Sequence, residues 1–331
     1  MNVRFFNPGL DYKKYKSDIN REIRRVLSAG DLILRKDMET FEKNIAEFVG
    51  TKHCVALNSG TDALYLALKA LGIKPGMRVA VPSHTFVATA QVVAQHGAEP
   101  VLYDMDEVSA SNCDMHMTAH ISGSVLRVPN LDIPIIEDAC QALGAIKNPT
   151  SAAQAWSFYP AKILGAYGDA GALTTNDDTI ADEVREYRNH YKKDYSKWGI
   201  NSRMDNLQAA ILNVKFKYLP ETLALRKKWA EKYLKELNDL DPDKLELPDN
   251  QEGRVWQDFI INAKEKRDEL FEYLKTHGIE TMKNEYPFPI AKGPKALMYE
   301  HRTLRIPCNE HLKLKEVTYV IEKIKAFYAQ G

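Results

Sequence analysis

The sequence predicts an α/β protein with a mainly parallel mixed sheet flanked by helices, followed by a smaller α+β C-terminal part. Three observations support this prediction. Short apolar runs typical of strands alternate with amphipathic helical segments between residues 37 and 175. Beyond about residue 205, long segments rich in Ala, Leu and Lys replace the alternation. The length of 331 residues suits one large domain and a smaller one.

The N-terminal region is predicted to begin with two helices. Residues 17–29 and 37–49 both place apolar residues at helical spacing. Gly30 and Gly50 follow these patterns directly, and glycine commonly follows the last turn of a helix.

The alternation continues to residue 175. The predicted strands are 53–57, 79–82, 100–103, 133–137, 153–157 and 171–175, and the predicted helices are 62–71 and 85–96. In parallel sheets, ligands bind in the loops at the carboxyl ends of the strands, so we expect the functional residues there.

The C-terminal part is predicted from fewer signals. Pro220 interrupts the helical stretch 205–237 and predicts two successive helices. The pattern then indicates a linker at 242–248, a strand at 255–263, and helices at 267–277 and 312–328. We therefore expect a large domain over residues 1–210, and a connecting helix with a small domain over 211–331.

Charge and cysteine content narrow the functional classes. Lys plus Arg and Asp plus Glu number 45 each, so the neutral balance gives no reason to expect nucleic acid or an anionic membrane as partner. The four cysteines have long, irregular gaps and are expected to be free thiols, and no metal site is predicted. No window reaches the ~20 apolar residues of a membrane span, so a cytoplasmic location is expected.

The loop Asn58-Ser59-Gly60-Thr61 lies between a predicted strand and a predicted helix. Free backbone N–H groups and a partial positive charge at a helix N-terminus favour a phosphate, which Gly60 lets approach closely and the Thr61 hydroxyl can bind. A plain helix cap is the alternative reading.

Two acids, Glu137 and Asp138, end a buried apolar strand. Because a buried carboxylate is costly unless it is paired, one of them is expected to face a cationic group of a ligand, such as a protonated ring nitrogen. A helix-capping Asp is the alternative.

Lys162 lies in an apolar, turn-rich run that precedes Gly168-Asp169-Ala170-Gly171. Desolvation makes a lysine a better nucleophile toward a carbonyl. Taken alone, this segment fits an ordinary surface lysine better than a reactive one.

Nearly the whole chain resembles the DegT/DnrJ/EryC1/StrS family, the sugar aminotransferases among the fold-type I enzymes that use pyridoxal 5′-phosphate (PLP). The motifs that carry the resemblance are Ser59-Gly60-Thr61-Asp62-Ala63-Leu64, Pro82-Ser83-His84-Thr85-Phe86-Val87-Ala88-Thr89, Glu137-Asp138-Ala139-Cys140-Gln141-Ala142, Ser157-Phe158-Tyr159-Pro160-Ala161-Lys162, Gly168-Asp169-Ala170-Gly171, and Gly199-Ile200-Asn201-Ser202-Arg203-Met204 with Gln208-Ala209-Ala210.

The resemblance implies a role for each matching residue. Lys162 would hold the cofactor as a Schiff base and move a proton, and Asp138 would pair with the pyridinium nitrogen. Phe86 would stack on the ring and Gln141 would contact it. The cofactor phosphate would be held by Gly60, Thr61, Ser157 and, from a second subunit, Asn201. Substrate contacts are expected from His84, His190 and Arg203, and a homodimer with shared sites is expected.

Three segments depart from the family pattern. Only 29 residues lie between Asp104 and Pro134, which predicts a trimmed crossover that lacks a strand or a helix. Phe288 stands near the place where the family often has a His after Tyr286-Pro287, and Tyr191 replaces a Gly that commonly follows the equivalent of His190.

The resemblance therefore implies an aminotransferase that moves an amino group from an amino acid, expected to be L-glutamate, to a keto group of a nucleotide-linked deoxysugar, with C3 favoured over C4. One alternative is a sugar dehydratase of the same family that depends on PLP or on its amino form, pyridoxamine 5′-phosphate (PMP). In such enzymes a His replaces the Schiff-base lysine. Another is a non-catalytic PLP-binding regulator. Lys162 argues against the first alternative, and intact Asp138 and Lys162 argue against the second.

Overall fold

The computed structural model describes residues 1–105 and 110–329. The helices, in chain order, are α1 (Pro8–Ala29), α2 (Lys36–Val49), α3 (Gly60–Ala70), α4 (Ala88–Gln95), α5 (Asp178–Tyr187), α6 (Asn206–Phe216), α7 (Leu219–Leu237), α8 (Arg267–Thr276), α9 (Pro294–Arg302) and α10 (Leu314–Ala329). The strands are β1 (His53–Leu57), β2 (Arg78–Pro82), β3 (Glu99–Tyr103), β4 (Met115–Ala119), β5 (Ile135–Asp138), β6 (Ala153–Ser157), β7 (Gly171–Thr175), β8 (Phe259–Asn262), β9 (Met282–Lys283) and β10 (Thr303–Ile306).

A mixed, mainly parallel sheet of seven strands forms the larger part of the fold. Its order is β1-β7-β6-β5-β4-β2-β3. Neighbours from β3 to β6 run parallel, whereas β7 is antiparallel to both β6 and β1. The predicted α/β class is confirmed. The carboxyl ends of β2 to β6 therefore meet at one edge, which is where ligands bind in such sheets.

Helices cover both faces of this sheet. Leu64 of α3, Val93 of α4 and Val184 of α5 belong to one buried apolar cluster with the strands. Phe41 of α2 and Leu212 of α6 belong to a second cluster on the other face. Because strands covered on both faces bury nearly every side chain, they have continuous apolar runs rather than alternating ones.

A second, three-stranded sheet in the order β8-β10-β9 packs with α7, α8 and α10 around a separate apolar core. Val3 joins this core from the N-terminus and pairs with Ile279. The domain division at residue 210 remains a prediction, and that position lies within α6. Pro220 stands in the first turn of α7, so the predicted break between two helices is confirmed.

Several predicted boundaries were wrong. Helix α1 begins at Pro8 rather than at residue 17, and α4 begins at Ala88 rather than at 85. The predicted strand 255–263 is a strand only from Phe259 to Asn262. The elements α5, α9, β4, β9 and β10 were not predicted; β9 and β10, for example, are strands of two and four residues. Short elements depend on tertiary pairing more than on sequence pattern.

The trimmed crossover keeps its strand. Within the 29-residue segment, β4 pairs with β2 and β5, and residues 106–109 lie outside the described part of the chain. The connection from β4 to β5 contains a single turn of 3₁₀ helix, Ile121–Gly123, as its helical structure. A strand is therefore not missing, and the shortening falls on the connections.

This short connection docks against the segment that precedes β8. The Val255 N–H donates to the Gly123 carbonyl over 3.1 Å. The Gln251 side chain accepts from the Val125 N–H at 3.0 Å and donates to its carbonyl at 2.7 Å. Gly123 has a φ of +82°, and a Cβ there would lie 2.0 Å from the Val255 carbonyl oxygen. Glycine is thus required by both conformation and space.

Within residues 1–105 and 110–329, no helix combines the length and the apolar character that crossing a bilayer requires.

We expect Gly123→Ala to destabilise the protein more than Gly72→Ala. Both glycines have a φ near +80°, but a Cβ at Gly72 meets nothing within 4 Å. Gly72→Ala should therefore cost only about 1–2 kcal/mol of backbone strain. Gly123→Ala should cost about 1–3 kcal/mol more, because it also forces two backbones apart. Denaturant unfolding of both variants measures the difference, and equal costs would contradict the close approach.

Candidate active site

The two acids at the end of β5 have different environments. Glu137 is 2% exposed and accepts a hydrogen bond from His120 Nε2 over 2.8 Å. The Ser151 hydroxyl donates to the other Glu137 oxygen. His120 is also fixed, since its Nδ1 accepts from the Leu126 N–H. Glu137 is therefore fully paired inside the protein, which leaves Asp138 as the acid available to a ligand.

Asp138 is buried and held by neighbouring groups. The Thr89 hydroxyl donates to Asp138 Oδ2 over 2.7 Å, and the Cys140 N–H donates to Oδ1 over 3.2 Å. Thr89 is fully buried and also bonds the Thr85 hydroxyl at 2.8 Å. These donors fix the orientation of the Asp138 carboxyl group, as pairing with a cationic ring nitrogen of a ligand requires.

The predicted phosphate loop packs tightly against β6. A Cβ at Gly60 would lie 2.7 Å from Cys140 Sγ and 2.9 Å from Ser157 Cβ. Behind the loop, a Cβ at Gly171 would lie 2.2 Å from the Ser59 carbonyl carbon. Ser59 itself caps α3 by accepting from the Asp62 N–H at 3.0 Å. The helix-cap alternative thus applies to Ser59, while Gly60 and Ser157 are brought together at the helix N-terminus, where Thr61 also lies.

Cys140 is the common neighbour of three predicted site residues. It contacts Gly60, and its backbone bonds Asp138. Burial raises the pKa of the Cys140 thiol well above its usual range, the nearby Asp138 carboxylate raises it further, and the Lys162 ammonium opposes them. The fold therefore gathers the glycine loop, the acid and the lysine around one partly buried thiol.

Lys162 follows β6 in a turn, where its N–H donates to the Tyr159 carbonyl over 2.8 Å. Within the described residues, its side-chain nitrogen makes neither an ion pair nor a hydrogen bond. Gln257 brackets this residue: its side chain accepts from the Ile163 N–H at 3.1 Å and donates to the Ala161 carbonyl at 3.0 Å. The lysine is thus positioned through its backbone, and its amine remains free to react.

Phe86 and Gln141 lie on either side of the Asp138 region. The Phe86 ring is 54% exposed although it is apolar, and its edge meets Tyr286 with centroids 6.5 Å apart. Its carbonyl accepts from the Thr89 N–H, so it lies one helical turn from the residue that binds Asp138. The Gln141 side chain accepts from the Ser122 N–H at 2.7 Å.

His84 is largely buried, with its side chain 9% exposed, in a cluster of charged groups. Its Nδ1 lies 2.9 Å from Glu300, which also accepts from Lys292 over 2.5 Å. Burial lowers the pKa of His84, and the hydrogen bond to Glu300 opposes this. The cluster ties the loop after β2 to α9, so a substrate contact by His84 stays a prediction.

The segment around residue 201 lies at the surface, next to the phosphate loop. Ser202 is buried and donates to Asp62 of α3 over 2.6 Å, while Asn201 is exposed. Arg203 donates to Asn201 at 3.0 Å and to Asn189 at 2.9 Å. His190 is exposed and has a φ of +63°. Asn201, Arg203 and His190 are therefore not brought to Lys162 within this chain.

Three functional neighbours were not identified as site residues from the sequence. Thr89 stands three residues after Phe86, and this spacing on a helix N-terminus could have indicated it. Gln257 bonds Ile163, which is 94 residues away along the chain, and His120 bonds Glu137, which is 17 residues away. No local pattern indicates such pairs, because tertiary packing creates them.

A family model described as the DegT/DnrJ/EryC1/StrS aminotransferase family matches residues 13–125 and 111–325. The chain belongs to this family. It is therefore a PLP-dependent aminotransferase of fold type I.

Relatives and solved structures agree with this assignment. The "Pleiotropic regulatory protein" of Geobacillus stearothermophilus is 34% identical and covers 99% of both chains. The dTDP-3-amino-3,4,6-trideoxy-alpha-D-glucose transaminase of Streptomyces venezuelae is 31% identical over 98% of this chain and 95% of its own. A structure of NtdA from Bacillus subtilis with bound cofactor PMP has a TM-score of 0.88 at 26% identity, over 99% of this chain and 85% of that chain.

We expect Gln257→Leu to lower kcat by about 10- to 100-fold, because a lysine displaced by a fraction of an ångström loses its reactive geometry. Gln208→Leu is the matched control, since Gln208 makes the same pair of bonds to the Tyr167 N–H at 2.9 Å and carbonyl at 3.2 Å. Steady-state kinetics and unfolding of both variants provide the test. A similar loss of kcat in both, in proportion to lost stability, would contradict a positioning role.

Proposed function

We propose that this enzyme transfers the amino group of L-glutamate to the 3-keto group of a nucleotide-linked deoxysugar. The observation that carries the chemistry is the unpaired Lys162 amine beside Asp138 and the Gly60 loop. The Streptomyces relative, named for a 3-amino sugar linked to dTDP, supports the acceptor and the position. The products would be 2-oxoglutarate and the 3-amino sugar.

The residues fit PLP in the way that each part of the cofactor requires. The approach of Gly60 to Ser157 leaves backbone and hydroxyl groups at the N-terminus of α3, with Thr61, for a phosphate. Asp138 would hold the ring nitrogen protonated, Phe86 would lie on the ring face, and Gln141 would contact its edge. When bound, the cofactor supplies an electron sink for the carbon that loses or gains the amino group.

The chain's own residues then move protons. Lys162 Nζ removes the Cα proton of the donor and, in the reverse half-reaction, delivers a proton to the carbon that receives the amino group. Thr89 and the Cys140 N–H hold Asp138 in position against the ring nitrogen. Gln257 keeps Lys162 in place during these transfers through its bonds to Ala161 and Ile163.

We also propose that the enzyme works as a homodimer in the cytoplasm. In one chain Asn201 is exposed beside the phosphate loop, since Ser202 is bonded to Asp62. Such a position supports contact between Asn201 and the phosphate held by the other subunit. Arg203, which bonds Asn201, and His190 would lie at the same shared site and meet the substrate with His84. Four unpaired cysteines support a reducing compartment.

A non-catalytic regulator is the second candidate, because the Geobacillus relative is named a regulatory protein. If the protein is such a regulator, it should bind PLP tightly and turn over no amino donor. A sugar dehydratase is less favoured, since Lys162 stands where such enzymes would have a histidine.

We expect glutamate to bleach the visible absorbance of the PLP-loaded enzyme, and a nucleotide-linked 3-keto sugar to restore it. Lys162→Ala should bind PLP weakly and lower amino transfer at least 1,000-fold, about the contribution of a positioned base. Lys147→Ala, which removes a lysine remote from Asp138, is the control. If glutamate and other amino donors all leave the spectrum unchanged, the transaminase proposal fails and the regulator is favoured.

We expect mixed dimers of Lys162→Ala and Asn201→Ala chains to recover activity that neither variant has alone. Each mixed dimer would contain one intact site if Asn201 acts across the interface. Random re-association should then yield about a quarter of wild-type activity. No recovery, in a mixture shown by mass spectrometry to contain mixed dimers, would mean that Asn201 acts within its own chain.

A further inference from the structure

A cleft of about 670 Å³ lies beside the candidate active site. Residues at the carboxyl ends of β2, β3 and β4 form its floor, for example Pro82, Tyr103 and Ala119. The short connection after β4 forms one wall, and residues 246–254 form the other. Ser122 joins the cleft to the site, because it lines the cleft and its N–H bonds Gln141. The volume suits a ligand much larger than an amino acid.

Arg254 is one of two arginines that line this cleft. Its guanidinium stacks on the Trp256 ring, 4.3 Å from the ring centroid. One terminal nitrogen donates to the Asp249 backbone carbonyl over 3.0 Å, while the buried Nε has no hydrogen-bond partner. Among the described residues, no acid lies within ion-pair distance of it. Burial lowers the pKa of Arg254, so the protein itself compensates this charge poorly.

Most of the acids that line the cleft are engaged elsewhere. Asp104 accepts from the backbone N–H groups of Met105, Lys295 and Ala296. Glu246 accepts from the Asn262 side chain over 2.9 Å. The exposed Asp249 favours the charge of Arg254 only at a distance. A second cation, Arg127, lines the same cleft. The site therefore offers a stacked, partly buried guanidinium with unused donors, an arrangement that binds oxyanions well.

The sheet order indicates which substrate supplies the anion. Lys162 follows β6, whereas the floor of the cleft follows β4, β2 and β3. Strands are about 4.8 Å apart, so two steps from β6 to β4 span roughly 10 Å. The carboxylate of an amino donor is one bond from the carbon that reacts near Lys162. The diphosphate of a nucleotide-linked sugar lies far enough from its reacting carbon to reach the cleft.

We propose that Arg254 binds an oxyanion of the acceptor substrate, namely the diphosphate of a nucleotide-linked sugar, in the cleft beneath the shortened connection. The inference rests on the proposed function for the identity of the acceptor. Arg127 contributes charge from the rim. The Trp256 ring supports one face of the guanidinium, and the other terminal nitrogen would donate to the ligand.

Calorimetric titration of the PLP-loaded enzyme with uridine 5′-diphosphate and thymidine 5′-diphosphate tests the inference. We expect Arg254→Gln to raise the Kd of the better ligand at least tenfold, and Arg254→Lys to raise it less. Arg78→Gln is the matched control, because Arg78 lies at the opposite end of β2 and pairs with Glu99. It should leave the Kd unchanged.

Two results would overturn the inference. One is a wild-type enzyme that binds neither diphosphate, or an Arg254→Gln variant that binds as wild type does. The other is a raised KM for glutamate in the donor half-reaction with unchanged diphosphate binding, which would assign Arg254 to the donor carboxylate. The titration measures diphosphate binding and needs no amino transfer. Its result can therefore be interpreted even if the enzyme proves not to aminate a nucleotide-linked sugar.

A second measurement needs no variant. Phenylglyoxal modifies accessible arginines, and peptide mass spectrometry follows each position. Diphosphate should slow modification of Arg254 at least fivefold and leave Arg78 unaffected, whereas equal rates with and without the ligand would refute the assignment. This experiment decides the question even if Arg254→Gln does not fold.

Discussion

The structure of the site depends on the close approach between the N-terminus of α3 and the strands beneath it. Gly60 lies against Cys140 and Ser157, and Gly171 lies against the backbone of residues 59 and 60. A larger side chain at Gly171 would have to displace backbone atoms, and one at Gly60 would collide with Cys140 Sγ and Ser157 Cβ. This contact sets the distance from the Gly60 loop to the turn formed by residues 159–162 and to the end of β5. The proposed cofactor site, with the phosphate at the Gly60 loop and the ring at Asp138, would depend on that distance.

The pleat of β5 distributes two adjacent acids to opposite faces, since successive side chains of a strand alternate. Glu137 meets His120 and Ser151, which satisfy it inside the protein. Asp138 meets Thr89 and the Cys140 N–H on the other face and keeps one side for a ligand. Burying two carboxyl groups side by side costs desolvation free energy, which the separate set of hydrogen-bond donors around each one offsets. One acid is thus structural, and the other can serve the cofactor.

The shortened connection after β4 links the two sheets of the protein. It contains one helical turn. Hydrogen bonds from Gly123 to Val255 and from Val125 to Gln251 hold it against the segment 251–255. The same segment continues to Gln257 at the lysine turn and presents Arg254 to the cleft. The length of this connection therefore affects both the segment that bonds the Lys162 turn and one wall of the cleft.

The sequence alone determined the α/β class and six strands of the large sheet, because apolar periodicity is a local signal. The grouping of Gly60, Asp138 and Lys162 was predicted from three separate motifs together with the resemblance to the family. The sequence could not assign Glu137 and Asp138 to their partners, since His120 and Thr89 reach them only across the folded sheet. It also missed β4, whose pattern includes His116 and Thr118 and becomes a strand by pairing on both sides. Gln257 and Arg254 acquire their places solely from the docking of the second sheet, a long-range arrangement that no short segment encodes.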